Sequence, residues 1–289
     1  MRLVISPAKK MNVVDDLPWE GLPRYLDRTQ VLLDRLRELS RDEAQALWKC
    51  SDTLADLNYE RLQAMDLERG LSPAILAYEG IQYQAMAPSV MTEDELAYLR
   101  DHLRILSGFY GVVRPFDGVT PYRLEMRARL VAAGARDLYG FWGRSLYEAL
   151  ADPGDGTGAA PDVVVNLASV EYARAVTPYF GKPGGSGGMV EASRAGAGRI
   201  EAAGGRARGD DSAEEGAPES PGLLTCLFGT VRDGKLVQKA TEAKAARGSF
   251  VRWCAERAVE DPAELRGFDA MGFALDEGLS TAGTLVFVR

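Results

Sequence analysis

Two hydrophobic spacings alternate along the chain. Short unbroken apolar runs, the mark of strands buried on both faces, stand at Leu3-Val4-Ile5, Val163-Val164-Val165 and Leu285-Val286-Phe287-Val288. Between them, apolar residues return every three or four positions. Leu26, Leu32, Leu33, Leu36 and Leu39 predict a helix over 25–39, and Leu96, Leu99, Leu103 and Leu106 predict one that runs to Ser107. Ser40-Arg41-Asp42-Glu43 and Thr92-Glu93-Asp94-Glu95 are capping boxes, which satisfy orphan N–H groups of a first helical turn. Ser51 predicts a capped helix to about residue 65. Residues 74–78 predict a strand, and 126–133 and 138–150 predict helices. Asp233-Gly234, between apolar runs at 224–231 and 236–239, predicts a hairpin. A helix over 241–259 carries Ala243, Ala246, Phe250 and Trp253 on one side. Asp261-Pro262 opens a short helix, and 273–275 is a last short strand.

Strands interleaved with helices predict an α/β (mixed α+β) chain, a single domain over 1–289 with a mixed sheet flanked by helices. The segment from Lys182 to Gly222 breaks the pattern. It is rich in Gly, Ala, Ser and charge and holds no aromatic residue, too little apolar surface to offset chain entropy. It reads as a flexible insertion at 183–221.

Composition narrows the chemistry. Of 289 residues 46% are apolar, enough for a real core, yet no run of about 18 apolar residues predicts a membrane span. The short N-terminal apolar run, broken by Pro7, Lys9 and Lys10, is no signal peptide, so the expectation is a cytoplasmic protein. Cys50, Cys226 and Cys254 form no C-x-x-C pair, and His102 is the single histidine. Thiolate zinc sites and multi-histidine metal sites are therefore not expected, and no cofactor is called for. Net charge is −8, but between Leu99 and Arg144 stand eight arginines and four acids without a lysine. Arginine forks suit phosphate or carboxylate.

Three constellations follow. Ser6-Pro7-Ala8-Lys9 and Asn166-Leu167-Ala168-Ser169, with Glu171, each trail a predicted strand, where open sheets gather ligands. Ser107-Gly108-Phe109-Tyr110-Gly111, flanked by Arg104 and Arg114, has the look of a helix-hairpin-helix turn offering backbone N–H groups to a phosphate. Pro115 departs from that pattern, since it displaces any second helix. Tyr122, Arg123 and Glu125 cluster in four residues, and Lys244 and Arg247 lie one helical turn apart.

Taken in order, these segments resemble the peroxide stress protein YaaA family. The matching pieces include Ile5-Ser6-Pro7-Ala8-Lys9, the stretch from His102 to Pro115, Pro121-Tyr122-Arg123-Leu124-Glu125-Met126, Phe141-Trp142-Gly143, Asn166-Leu167-Ala168-Ser169 with Glu171-Tyr172, and Ala246-Arg247-Gly248. The resemblance implies an α/β domain of unusual topology with a positively charged cleft, a helix-hairpin-helix-like element at 106–113, and binding to duplex or distorted DNA. It also implies a role in hydrogen peroxide stress, limiting the free iron that drives oxidative damage. Three departures stand out. The insertion is foreign to shorter relatives, Glu79 and Ile81 replace a family lysine and aspartate, and Ala245 replaces a second lysine.

Two functions remain open at this point, of which the resemblance favours the first. In one, Arg104, Ser107, Gly108, Tyr110, Gly111 and Arg114, with the cleft residues, bind DNA without base readout. In the other, Ser6, Lys9, Tyr122, Arg123, Asn166, Ser169, Glu171, Lys244 and Arg247 form a pocket for a nucleotide or other anionic small molecule, with Lys9 or Glu171 as acid or base. Convergence in one deep pocket favours the second, and an open groove the first.

Overall fold

The computed structural model describes residues 1–152, 160–181 and 221–289, so the predicted insertion, all but its last position, lies outside the described residues. Its centre is an eight-stranded sheet in the order Ala274–Leu275, Thr284–Val288, Gly222–Arg232, Val163–Asn166, Arg2–Ile5, Leu103–Ser107, Gly111–Val113, with Lys235–Val237 paired to Gly222–Arg232. The five inner strands are parallel, and the remaining pairings are antiparallel. Leu3, Val4 and Ile5 are all buried, so both faces of the first strand are covered. That explains its unbroken apolar run.

Two arginines sit inside this core. Arg2, at a central strand's start, donates to Leu150 O at 2.7 Å and Asp152 O at 3.2 Å, beyond the helix Ser145–Ala151. Arg104, fully buried on Leu103–Ser107, donates to Leu103 O at 2.6 Å and Arg100 O at 3.3 Å, at the end of the helix Glu93–His102. Each guanidinium thus satisfies carbonyls that a helix leaves unpaired at its C-terminus.

Both predicted capping boxes form, at Ser40 before Arg41–Trp48 and at Thr92 before Glu93–His102. The helices Leu26–Arg37 and Ala240–Glu256 match their apolar stripes, and Asp52–Ala64 follows Ser51 as expected, although the Ser51 side chain makes no capping hydrogen bond. Asp233 and Gly234 turn the predicted hairpin with positive φ at both positions. Phe228, Phe250, Phe268, Phe273 and Phe287 interlock at centroid separations from 4.9 to 5.8 Å and fasten Ala240–Glu256 onto the sheet. A side chain in that cluster truncated to alanine costs about 3–5 kcal/mol.

Four local expectations are overturned. Leu103 and Leu106 continue no helix. The helix ends at His102, and Leu103–Ser107 becomes a parallel neighbour of Arg2–Ile5. Leucine spacing fits either element, and burial on both faces decides for strand. Residues 74–78 hold a short helix, Ala74–Ala77, followed by a two-residue strand, Tyr78–Glu79. Residues 126–133 form no helix and instead make a turn closed by an Ala132–Ala135 bridge. The predicted helix at 138–150 is split into Leu138–Trp142 and Ser145–Ala151 by Gly143, which has φ +51°.

The helix-hairpin-helix reading of 106–113 falls with the first of these. The segment is a β-hairpin, Leu103–Ser107 paired antiparallel with Gly111–Val113. The N–H groups of Phe109 and Tyr110, which the anion-nest reading needed, donate to Ser107 Oγ at 3.1 and 2.8 Å. Arg104, Ser107 and Tyr110 are fully buried. They are core, not a phosphate-facing surface.

Candidate functional site

A cavity of about 370 Å³ opens at the carboxyl ends of Arg2–Ile5 and Val163–Asn166. That volume is at the lower end of the range for small-molecule sites. Three walls build it. The first comes from the strand ends. Ser169 N donates to Ser6 Oγ at 2.8 Å, and the two hydroxyls lie 3.2 Å apart. The loop between is shaped by Asn166, whose Oδ1 accepts from Ala168 N at 3.0 Å, so Asn166 positions Ser169 without lining the pocket.

The second wall is the extended segment from Tyr122 to Glu125. Gly108 of the hairpin lies so close behind it that a Cβ there would sit 2.6 Å from Leu124 O. Tyr122 OH lies 2.6 Å from Ser107 Oγ and 2.9 Å from Tyr78 OH. Burial pushes the phenols of Tyr122, Tyr83 and Tyr172 up from their ordinary range, so these wall groups stay neutral.

The third wall combines the helix Ile81–Met86 with Ala240–Glu256. They cross at Gly248, where an added Cβ would fall 1.9 Å from Gln82 O. Only glycine permits that approach, which brings Lys244 and Arg247 over the cavity. From the other helix, Tyr83 OH donates to Ser6 O at 3.0 Å and Gln82 Nε2 at 3.4 Å, tying this wall to the first.

The charges are unevenly matched. Lys9 Nζ pairs with Glu125 Oε1 at 2.9 Å, Lys10 with Glu79 at 2.7 Å, and Arg127 Nε with Glu171 at 3.5 Å. Lys10 and Asn12 hold the Glu79 carboxyl below its usual range. Arg247 differs. It is 8% exposed, and among the described residues its Nε has no hydrogen-bond partner and no carboxylate lies within ion-pair distance. Burial lowers its pKa. The Nε of Arg123 is also buried without a partner among the described residues, and its Nη2 lies 4.0 Å from Glu125 Oε1.

Of the residues singled out from the sequence, Ser6, Lys9, Tyr122, Arg123, Ser169, Glu171, Lys244 and Arg247 meet in this pocket. Arg104, Ser107, Gly108, Tyr110, Gly111 and Asn166 do not line it. Arg114 is at a separate cavity of about 320 Å³ beside Asp117 and Asp152. His102 caps nothing in the pocket: its Nδ1 meets Met1 O at 2.9 Å and its ring stacks on Tyr98. Sequence reading missed Gln82 and Tyr83 as site residues, and noted Glu125 beside Tyr122 and Arg123 without giving it a place in the pocket. Glu125 carried a signal, since in an extended segment 123 and 125 face the same way. Gln82 and Tyr83 carried none, because their place depends on the helix crossing at Gly248. Among the described residues no group of three His, Cys, Asp or Glu side chains is placed to hold a metal ion.

Fold and pocket together define an α/β protein with a cation-rich pocket at the carboxyl ends of parallel strands. No helix among the described residues is long and apolar enough to cross a membrane. The family model described as peroxide stress protein YaaA matches residues 1–186 and 214–279. The chain belongs to that family. It is 43% identical to a UPF0246 protein of Pediococcus pentosaceus over 290 residues, covering 100% of this chain and 98% of the relative. It is also 43% identical to one of Lactiplantibacillus plantarum, with 100% and 99% covered. Identity to one of Lachnoclostridium phytofermentans is 40%, with 100% and 96% covered.

Proposed function

We propose that this peroxide stress family member acts through the strand-end pocket, binding a nucleotide or other anionic small molecule there as an enzyme does its substrate. The observation that carries the reading is Arg247, a buried guanidinium facing the cavity with no counter-ion among the described residues. A buried charge without a partner is costly, and a ligand oxyanion supplies the partner. Lys9, Glu125 and Glu171 then stand beside the bound anion. Lys9 and Glu171 are the candidate acid and base, each in an ion pair whose cation is more than half exposed and which a substrate group can displace. Protection against iron-driven damage, as the resemblance implies it, follows in this reading from what happens to that ligand.

The test is titration calorimetry of the full chain with a panel of small phosphates and carboxylates, repeated on Arg247→Gln and on Arg114→Ala. Binding lost in the first and kept in the second is the expected result. Binding that ignores Arg247 refutes the reading.

A second reading keeps DNA as the partner, now at the pocket mouth. Lys9, Lys10 and Lys244 are exposed on its lining, with Arg127 beside them on Glu171, and suit a passing backbone. It predicts duplex affinity that falls steeply with salt and with Lys10→Gln/Lys244→Gln, read by fluorescence anisotropy. No duplex binding at low salt excludes it.

A further inference from the structure

The local charge balance narrows the ligand, a step that rests on the anion-pocket reading. Five cationic side chains line the cavity, against the carboxylates of Glu79, Glu125 and Glu171. The pocket is thus two charges positive in a chain of net −8. Each carboxylate already has a cation within 3.5 Å, and for Glu171 that cation is Arg127, which does not line the cavity. The surplus falls on the cations left over: Arg247 and Lys244, with no ion pair among the described residues, and Arg123, with only the 4.0 Å approach to Glu125.

We propose that the ligand presents a phosphate monoester, and that its dianionic phosphate enters first, against Arg247, Arg123 and Lys244. A carboxylate or a phosphodiester brings one negative charge and two free acceptor oxygens. A monoester brings close to two charges at neutral pH and three acceptor oxygens. Two guanidinium forks and an ammonium offer donors to all three oxygens, and against the pocket's surplus of two a monoanion leaves one positive charge uncompensated. Depth gives the orientation, because Arg247 is buried while Lys9, Lys10 and Lys244 are exposed. The same chemistry separates two sources. A mononucleotide carries the group, and DNA carries it only at a phosphorylated strand end, its internal phosphates being diesters.

The experiment is calorimetric titration of the full chain with inorganic phosphate, phenyl phosphate and AMP, against benzoate and 3′,5′-cyclic AMP. A single-stranded oligonucleotide with and without a 5′-phosphate distinguishes the two sources. The expected result is at least tenfold tighter binding of AMP than of cyclic AMP. Affinity for the monoesters should rise roughly tenfold from pH 5 to pH 7 as the second phosphate proton, pKa about 6, is lost. Arg247→Gln and Lys244→Gln should flatten the preference. Equal binding of monoanions and dianions, or benzoate ahead of the phosphates, overturns the proposal and leaves an anion pocket standing. No binding by any anion overturns both.

Discussion

Arg247→Met removes a buried charge while keeping most of the side chain's length. In the parent the guanidinium is buried, its Nε makes no hydrogen bond among the described residues, and burial has already lowered its pKa. Desolvating an ion costs several kcal/mol, and exchanging buried ionic groups for apolar ones of similar volume raises stability by up to about 4 kcal/mol. The thioether keeps the packing against Ala240–Glu256's neighbours, so a gain of about 1–2 kcal/mol is expected. At this chain length that is roughly 2–5 °C in melting temperature. The same change removes charge-assisted hydrogen bonds to the ligand, worth about 1.5–3 kcal/mol, or roughly 10- to 150-fold in Kd. Differential scanning calorimetry measures the first effect, and calorimetric titration with phenyl phosphate the second. The reasoning predicts opposite signs, a more stable protein that binds worse. A variant that melts lower than the parent and binds phenyl phosphate equally well would refute it, and would make Arg247 a structural cation.

Three further outcomes follow from the packing. Gly248→Ala forces the helices at Gln82 apart, and should cost about 2–3 kcal/mol in denaturant unfolding while weakening phenyl phosphate binding, because Lys244 and Arg247 ride on the displaced helix. Arg104→Ala leaves buried helix-end carbonyls unpaired and should cost about 2–4 kcal/mol, with binding per folded molecule unchanged. The third concerns alkali. Burial raises the phenols of Tyr78, Tyr83, Tyr110 and Tyr122 above their ordinary value of 10.0, so the folded state holds those protons more tightly than the unfolded one. Their contribution is complete below that value and is lost as pH rises beyond it. Melting temperature should therefore fall above about pH 10, and the phenolate absorbance of these residues should appear only together with loss of near-ultraviolet circular dichroism.

Much of the fold was legible because the signals were local. A capping box needs only four residues, and Ser40 and Thr92 were placed correctly from sequence. The unbroken runs at 3–5 and 163–165 marked the central strands. What failed were segments where one pattern serves two structures. Leucines at 96, 99, 103 and 106 satisfy a helical stripe, yet the last two belong to a strand whose burial comes from partners far along the chain. The pocket was half legible. Ser6 and Ser169 follow strands, and strand ends are where ligands gather, so their convergence was foreseeable. The arginines of 99–144 were misleading as a group. Arg104 is a helix cap, Arg100 pairs with Glu20 at 2.7 Å, and only Arg123 of the eight lines the pocket. Composition counts charges and cannot say which are buried.

Ser107 Oγ is a junction where three neighbours meet: the N–H groups of Phe109 and Tyr110, and the hydroxyl of Tyr122. The glycine-rich loop and the pocket wall are therefore one mechanical piece, a buttress and the panel it holds. A change in that loop should be felt as a change in ligand selectivity before any change in fold. The spelling of that loop in this chain sets the stiffness of a wall.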